Sequence, residues 1–231
     1  MILAAGRGER MRPLTDHTPK PLLKVGGKSL IAWHLERFAR WGVQRVVINH
    51  AHLGAQIEAE LGRGERYGLN LVYSAETVAL ETAGGIAQAL PLLGTSPVFV
   101  VNGDVFCDLQ QTEVEQALVK MRTGGIQAHL WLVENPQHRP GGDFTLLENG
   151  RVMAETGLSQ GTALTFSGVG LYQPSLFSSV ASGEKAALAP ILRCAMQQQQ
   201  VTGQQLTGRW VDVGTPARLY ELDEQINGQS S

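Results

Sequence analysis

Cysteine is nearly missing from this chain. Cys107 and Cys194 are the only two, they lie far apart, and neither sits in a metal-type spacing, so a disulfide framework and a thiolate zinc site are both excluded. A surplus of one charge is also missing: 19 Lys and Arg stand against 21 Asp and Glu, for a net charge of −2. A protein that neutralises a nucleic-acid backbone would show a basic excess. No run is long and apolar enough to span a bilayer, and Met1-Ile2-Leu3 leads straight into glycines with no charged leader or cleavage site. These absences predict a cytoplasmic protein with small-molecule substrates, no nucleic-acid or membrane partner, and a monomeric or small homo-oligomeric state. At 231 residues the chain is long enough for one substantial domain with its own core.

What the chain does have is a conspicuous beginning. Leu3-Ala4-Ala5-Gly6-Arg7-Gly8-Glu9-Arg10-Met11-Arg12-Pro13-Leu14-Thr15 is followed by Pro19-Lys20-Pro21-Leu22-Leu23. A short apolar strand opens into small residues that let backbone approach a ligand, and the segment then supplies arginines and a lysine held between two prolines of fixed φ. That combination suits a triphosphate. Two familiar glycine motifs fail the comparison. The dinucleotide fingerprint requires a third glycine where Met11 stands, and the P-loop requires a glycine at Leu22 ahead of Gly27-Lys28-Ser29. The latter tripeptide reads instead as a turn, with Ser29 capping the following helix.

Beyond the loop, periodicity predicts a helix over 30–41 ending at Gly42, a buried strand over 44–49, a short helix over 53–61 and a strand over 69–73. His50 and His52 read as loop histidines, because no third ligand accompanies them. Thr82 is placed to cap a helix over 83–90 that Pro91 ends. A buried strand over 98–101 delivers Asn102-Gly103-Asp104 to its carboxyl end, where open α/β sheets bind ligands. Thr112 and Glu115 suggest a capping box for a helix over 112–121. The pattern then changes: a strand over 128–134 precedes segments 143–147 and 151–155 around Glu148-Asn149-Gly150, a hairpin signal. A helix over 188–199, Trp210-Val211-Asp212-Val213-Gly214-Thr215-Pro216 and a last helix from Pro216 to about residue 226 complete the chain.

The opening run, Thr82-Ala83-Gly84, Gly103-Asp104, Phe166 to Tyr172 and Trp210 to Pro216 occur in order over nearly the whole length. Together they resemble the sugar-1-phosphate nucleotidyltransferases, which join a nucleoside triphosphate to a sugar 1-phosphate and release pyrophosphate. The resemblance implies an α/β fold with a Rossmann-like, mostly parallel sheet between helices and a smaller antiparallel sugar-side insert. It implies one domain, residues 1–122 mainly for the nucleotide and 123–231 mainly for the sugar and the closing metal motif, with no extra carboxyl-terminal repeat domain. Relatives carry a few more residues in the first strand, so the native start is expected upstream of Met1.

The implied catalytic residues are Arg10 on the pyrophosphate and Lys20 between the phosphates. Leu3, Ala4, Ala5, Gly6, Gly8, Glu76, Thr82, Ala83 and Gly84 would bind the nucleotide, with Glu76 facing the base. Asn102, Gly142, Glu155, Ser167 and Gly168 would bind the sugar, and Asp104 and Asp212 would hold Mg²⁺. The opening wording is most like the UTP-using members of bacterial cell-wall recycling, with guanylyltransferases of mannose or heptose 1-phosphate as rivals. A non-catalytic nucleotide-sugar-binding subunit would have lost Arg10 or the carboxylates. Two departures stand out. Glu81 occupies a position where the family favours glycine, and Thr156 replaces the lysine of a Glu-Lys-Pro motif that contacts the sugar phosphate.

Overall fold

The computed structural model describes residues 1–228. In chain order, β1 (Ile2–Leu3), β2 (Lys24–Val25), β3 (Lys28–Ser29), α1 (Leu30–Arg40), β4 (Arg45–His50), α2 (Gly54–Leu61), β5 (Asn70–Ala75), α3 (Glu81–Leu93) and β6 (Val98–Asn102) form the first part. There follow β7 (Val105–Cys107), α4 (Gln111–Thr123), β8 (Ala128–Val133), β9 (Phe144–Leu146), β10 (Val152–Met153) and β11 (Thr162–Tyr172). The last elements are α5 (Leu188–Gln197), β12 (Val201–Gln205), β13 (Trp210–Asp212) and α6 (Pro216–Asn227).

The centre is the parallel set β6-β1-β4-β5. β1 has only two residues, yet Ile2 pairs with Ile48 on one side and Val101 on the other. Alternation across the sheet explains the continuous apolar runs: Val46, Ile48 and Val101 pack with α1, α2 and α4 on one face, while Val47 and Val100 pack with α3 and α5 on the other. A strand covered on both faces has no polar side to expose, which is how the Val46-Val47-Ile48 run reads in sequence. Helices on both faces of a parallel centre are the expected α/β architecture.

β11 joins the antiparallel portion to this centre. Its second half pairs with β6 and β8 and its first half with β9, and the register shifts between Phe166 and Val169. The bulge is built by Ser167, whose Oγ donates to Trp131 O at 2.6 Å and accepts from Val169 N at 3.2 Å. Gly168 there has φ of 80°, a left-handed value natural to glycine. The Asn149-Gly150 turn does form the β9–β10 hairpin.

Several local expectations shift. Ser29 precedes α1 but makes no side-chain capping bond. Thr82 lies inside α3 rather than at its cap, and α3 runs through Pro91 to Leu93; Leu90, Leu92 and Leu93 pack on the core and hold that last turn in spite of the missing N–H. The capping box of α4 is Gln110 with Glu113, two residues earlier than the Thr112 pattern, because buried Leu109 fixes where the chain enters the helix. β12 was hidden by its polar sequence; it pairs parallel to β8 and buries only alternate residues, Val201 and Gly203. His50 ends β4, buried, with its Nε2 2.7 Å from Glu58 Oε1, and His52 approaches Thr15 O at 3.4 Å. Cys107 is buried, and burial pushes its thiol up, away from nucleophilic reactivity.

Candidate active site

The carboxyl ends of β1, β4 and β6 converge on a cavity of about 370 Å³ lined by Leu3, Ala4, Ala5, Gly6, Lys20, Asn49, Thr82, Asn102, Asp104 and Lys185, among others. Its floor is set by hydrogen bonds between neighbouring strands. Asn49 Oδ1 accepts from Ala4 N at 2.9 Å, so the chain is steered into the glycine loop by the end of β4. Gly103 N donates to Leu3 O at 2.8 Å, and a Cβ at Gly103 would sit 2.9 Å from that oxygen. Only glycine lets the turn carrying Asp104 lie this close to β1.

The opening loop folds as short 3-10 turns anchored by Met11, which is fully buried. Gly6 faces open space, with nothing within 4 Å of a Cβ there. Gly8 serves differently. With φ of 70° it passes over the stem of Lys20, where a Cβ would meet Lys20 Cβ at 3.3 Å and Cδ at 3.4 Å. Lys20 is consequently buried, and its Nζ donates to Asp104 Oδ2 at 2.5 Å.

The closing motif reaches the same place by strand pairing. β13 runs antiparallel to β7 with Asp212 opposite Val105, and Val213 N donates to Asp104 O at 3.0 Å. Asp212 also accepts from Arg218 Nη1 at 2.9 Å and lies 4.0 Å from His138 Nε2. A Cβ on Gly214 would meet Arg10 Nη2 at 3.1 Å, Arg218 Nη1 at 3.2 Å and Asp212 Oδ1 at 3.2 Å. Arg10 of the first motif and Asp212 of the last therefore converge. Thr215 caps α6, accepting from Arg218 N at 3.4 Å, and Pro216 is the first helical residue.

The second motif supports the cavity more than it lines it. Thr82 faces the cavity, Ala83 is buried in the core, and Gly84 packs against residues 184–186, where a Cβ would lie 2.2 Å from Glu184 O. Glu76 is buried with both carboxylate oxygens engaged: Oε1 accepts from Asn49 Nδ2 at 2.6 Å and Oε2 from Leu80 N at 2.9 Å. Glu81 keeps the left-handed backbone that a glycine would adopt, with φ of 62°. A non-glycine residue there costs roughly 1–2 kcal/mol. Its carboxylate reaches Lys185 Nζ at 3.4 Å.

A second cavity, about 400 Å³, adjoins the first through shared Glu81, Thr82 and Asn102 and extends to Arg139, Asp143, Phe144, Phe166, Leu188, Leu192 and Arg193. Of the expected sugar residues, Asn102 lines it, and Gly168 leaves room for the Asn102 amide, 2.6 Å from where a Cβ would stand. Ser167 turns inward to the bulge, Gly142 packs on Asn135 and Leu164, and Glu155 is exposed with its carbonyl bound by Thr145. Neither cavity is lined by these three. Asn49, Lys185, Arg139 and Arg193 were not singled out in the sequence. Asn49 could have been, since it ends a buried strand as Asn102 does. The cations on residues 139, 185 and 193 lie in segments without any motif.

A nucleotidyl transferase family model matches residues 1–229. The chain is 58% identical over 222 residues to the N-acetylmuramate alpha-1-phosphate uridylyltransferase of Neisseria meningitidis serogroup B, covering 96% of this chain and 95% of that protein. It is 34% identical to the protein of the same name from Caulobacter vibrioides, covering 98% of this chain and 96% of the other. A solved structure described as a glucose-1-phosphate thymidylyltransferase from Bacillus anthracis superposes with a TM-score of 0.83 at 20% identity, over 97% of this chain and 93% of that one. With these matches running nearly end to end, and the loop and the closing motif both brought up to Asp104, the chain belongs to the nucleotidyl transferase family.

Proposed function

We propose that the protein transfers a uridylyl group from UTP to N-acetylmuramate α-1-phosphate, giving the UDP-sugar and pyrophosphate. The observation that carries the choice of substrates is the 58% identity, spread over 96% of the chain, to the Neisseria protein of that name. N-acetylmuramate is a bacterial cell-wall sugar, which fits a role in peptidoglycan recycling in the cytoplasm; among the described residues no helix is long and apolar enough to cross a membrane.

In the proposed reaction a phosphate oxygen of the sugar 1-phosphate attacks the α-phosphorus of UTP, and the bond from that phosphorus to pyrophosphate breaks. Catalysis of this kind is mostly positioning and neutralisation. The nucleotide lies in the cavity bordered by Gly6 and Thr82, and the sugar in the one beyond Asn102. Lys20, buried along its stem and so fixed in direction, neutralises phosphate charge between the two. Arg10 meets the departing pyrophosphate. Lys185, on the wall of the nucleotide cavity, supplies a cation in place of the lysine that Thr156 replaces. Asp104, in the turn before β7, and Asp212, on β13 paired to β7, present hard carboxylate oxygens, partly exposed, and this donor set fits Mg²⁺, which takes one or two protein carboxylates and completes its shell with phosphates and water. Bound there, the ion would stabilise charge on the phosphoryl oxygens. Glu76 acts through Asn49, holding the loop at Ala4.

The test is pyrophosphate release with UTP, GTP and dTTP against N-acetylmuramate 1-phosphate, N-acetylglucosamine 1-phosphate and mannose 1-phosphate. Preferred turnover of UTP with the muramic ester is expected; preference for GTP with mannose 1-phosphate would overturn the reading.

A further inference from the structure

One cation on the wall of the sugar-side cavity has no counter-ion among the described residues. Arg139 lies on its wall but is paired with Asp143 at 3.0 Å, and Asp143 is further held by Phe166 N at 2.9 Å. Glu81, shared with the nucleotide cavity, is paired with Lys185. Arg193, projecting from the middle of α5, lines the same cavity and is exposed, and among the described residues it is left without an ion pair. Arg139 is matched by Asp143 on the wall and Glu81 by Lys185 from outside it, so Arg193 is the charge on this lining left unmatched. The sugar ring's hydroxyls have no need of that charge, and the 1-phosphate is met at the nucleotide end, where Lys20 and Lys185 stand. Leu188, Leu192 and Phe166 beside it offer an apolar wall, suited to a methyl-bearing substituent.

We infer that Arg193 forms a carboxylate subsite that selects a sugar 1-phosphate bearing an acidic ether substituent, the lactyl group of N-acetylmuramate. This rests on the acceptor reading given above. A guanidinium fork matches a carboxylate with two parallel hydrogen bonds, which an ammonium does not reproduce. N-acetylglucosamine 1-phosphate differs from the muramic ester only in lacking the lactyl group, so the ratio of kcat/KM for the two isolates the contribution of the carboxylate.

The experiment measures that ratio in the wild type, Arg193→Ala and Arg193→Lys, all as the full chain with UTP saturating. Arg193→Ala should reduce the preference for the muramic ester by about 10- to 100-fold, the range expected for hydrogen bonds to a charged group. Arg193→Lys should recover part of it. A ratio in Arg193→Ala within twofold of wild type, whether because both acceptors are unaffected or because both suffer equally, overturns the subsite. A wild type that does not use the muramic ester overturns the acceptor reading and the inference together, so the two failures are told apart by the wild-type measurement alone.

Discussion

Replacing Glu76 by alanine should unsettle the nucleotide loop without touching a residue of that loop. The carboxylate is 6% exposed and takes two hydrogen bonds, from Asn49 Nδ2 at 2.6 Å and Leu80 N at 2.9 Å. Hydrogen bonds to a charged group contribute about 1.5–3 kcal/mol each, and the donors left behind are poorly placed to find substitutes. Asn49 also borders the open cavity, so water can satisfy part of its amide, and a net loss of about 2–4 kcal/mol follows. For a chain of this size each kcal/mol shifts the melting temperature by roughly 2–4 °C, giving a fall of about 5–15 °C. Glu76→Gln retains one acceptor and turns an NH₂ towards the other donor, so it should lie between. Because Asn49 Oδ1 holds Ala4 N at 2.9 Å, the KM for UTP should rise in both variants. Thermal unfolding followed by initial-rate kinetics checks this. A Glu76→Ala protein that melts within 2 °C of wild type, with an unchanged KM, would refute the reasoning. If its stability held while its preference among UTP, GTP and dTTP changed, the carboxylate would read the base instead.

Asp104→Asn and Asp212→Asn each keep size and remove a charge, so turnover should fall by orders of magnitude and be partly recovered at high Mg²⁺; a Mg²⁺ titration showing wild-type rates at ordinary concentrations in either variant would contradict the shared site. Lys20→Ala and Arg10→Ala should lower kcat by about 10²- to 10³-fold, the usual cost of losing one group aimed at developing charge, with circular dichroism unchanged; normal turnover would remove the assignment. Gly84→Ala gains about 1 kcal/mol of helix propensity but drives a carbon to 2.2 Å from Glu184 O. Overpacking against backbone should prevail and lower the melting temperature by a few degrees, and a melting point at or above wild type would show that the 184–186 segment yields freely.

The parts of the fold legible in sequence were those where burial dictates residue type. Val46-Val47-Ile48 and Val98 to Val101 had to be strands covered on both faces, and Asn149-Gly150 had to be a tight turn. β12 was illegible because an edge strand buries only one side, leaving Thr202, Gln204 and Gln205 to look like loop. The opening loop and Asp104 stood out by residue type, glycines such as Gly8 with φ of 70° and a charge just past an apolar strand, whereas Asp212 was marked by the resemblance of its closing motif. The sugar-side cations were not, since an arginine on a helix surface looks the same in sequence whether it faces solvent or a cavity. Glu76 shows a subtler limit: the family resemblance marked it as important, but only coordinates show its oxygens turned towards Asn49 and Leu80.

The clasp between β13 and β7 also has a meaning in time. One aspartate is made early and its counterpart about a hundred residues later, and the two come together only when β13, carrying the second, pairs with β7, which directly follows the first. At a synthesis rate of roughly 5–20 residues per second, a growing chain carries its glycine loop and Asp104 for several seconds before Asp212 emerges. A chain terminated before β13 would carry the opening loop and Asp104 but lack Asp212 and the strand that pairs with β7.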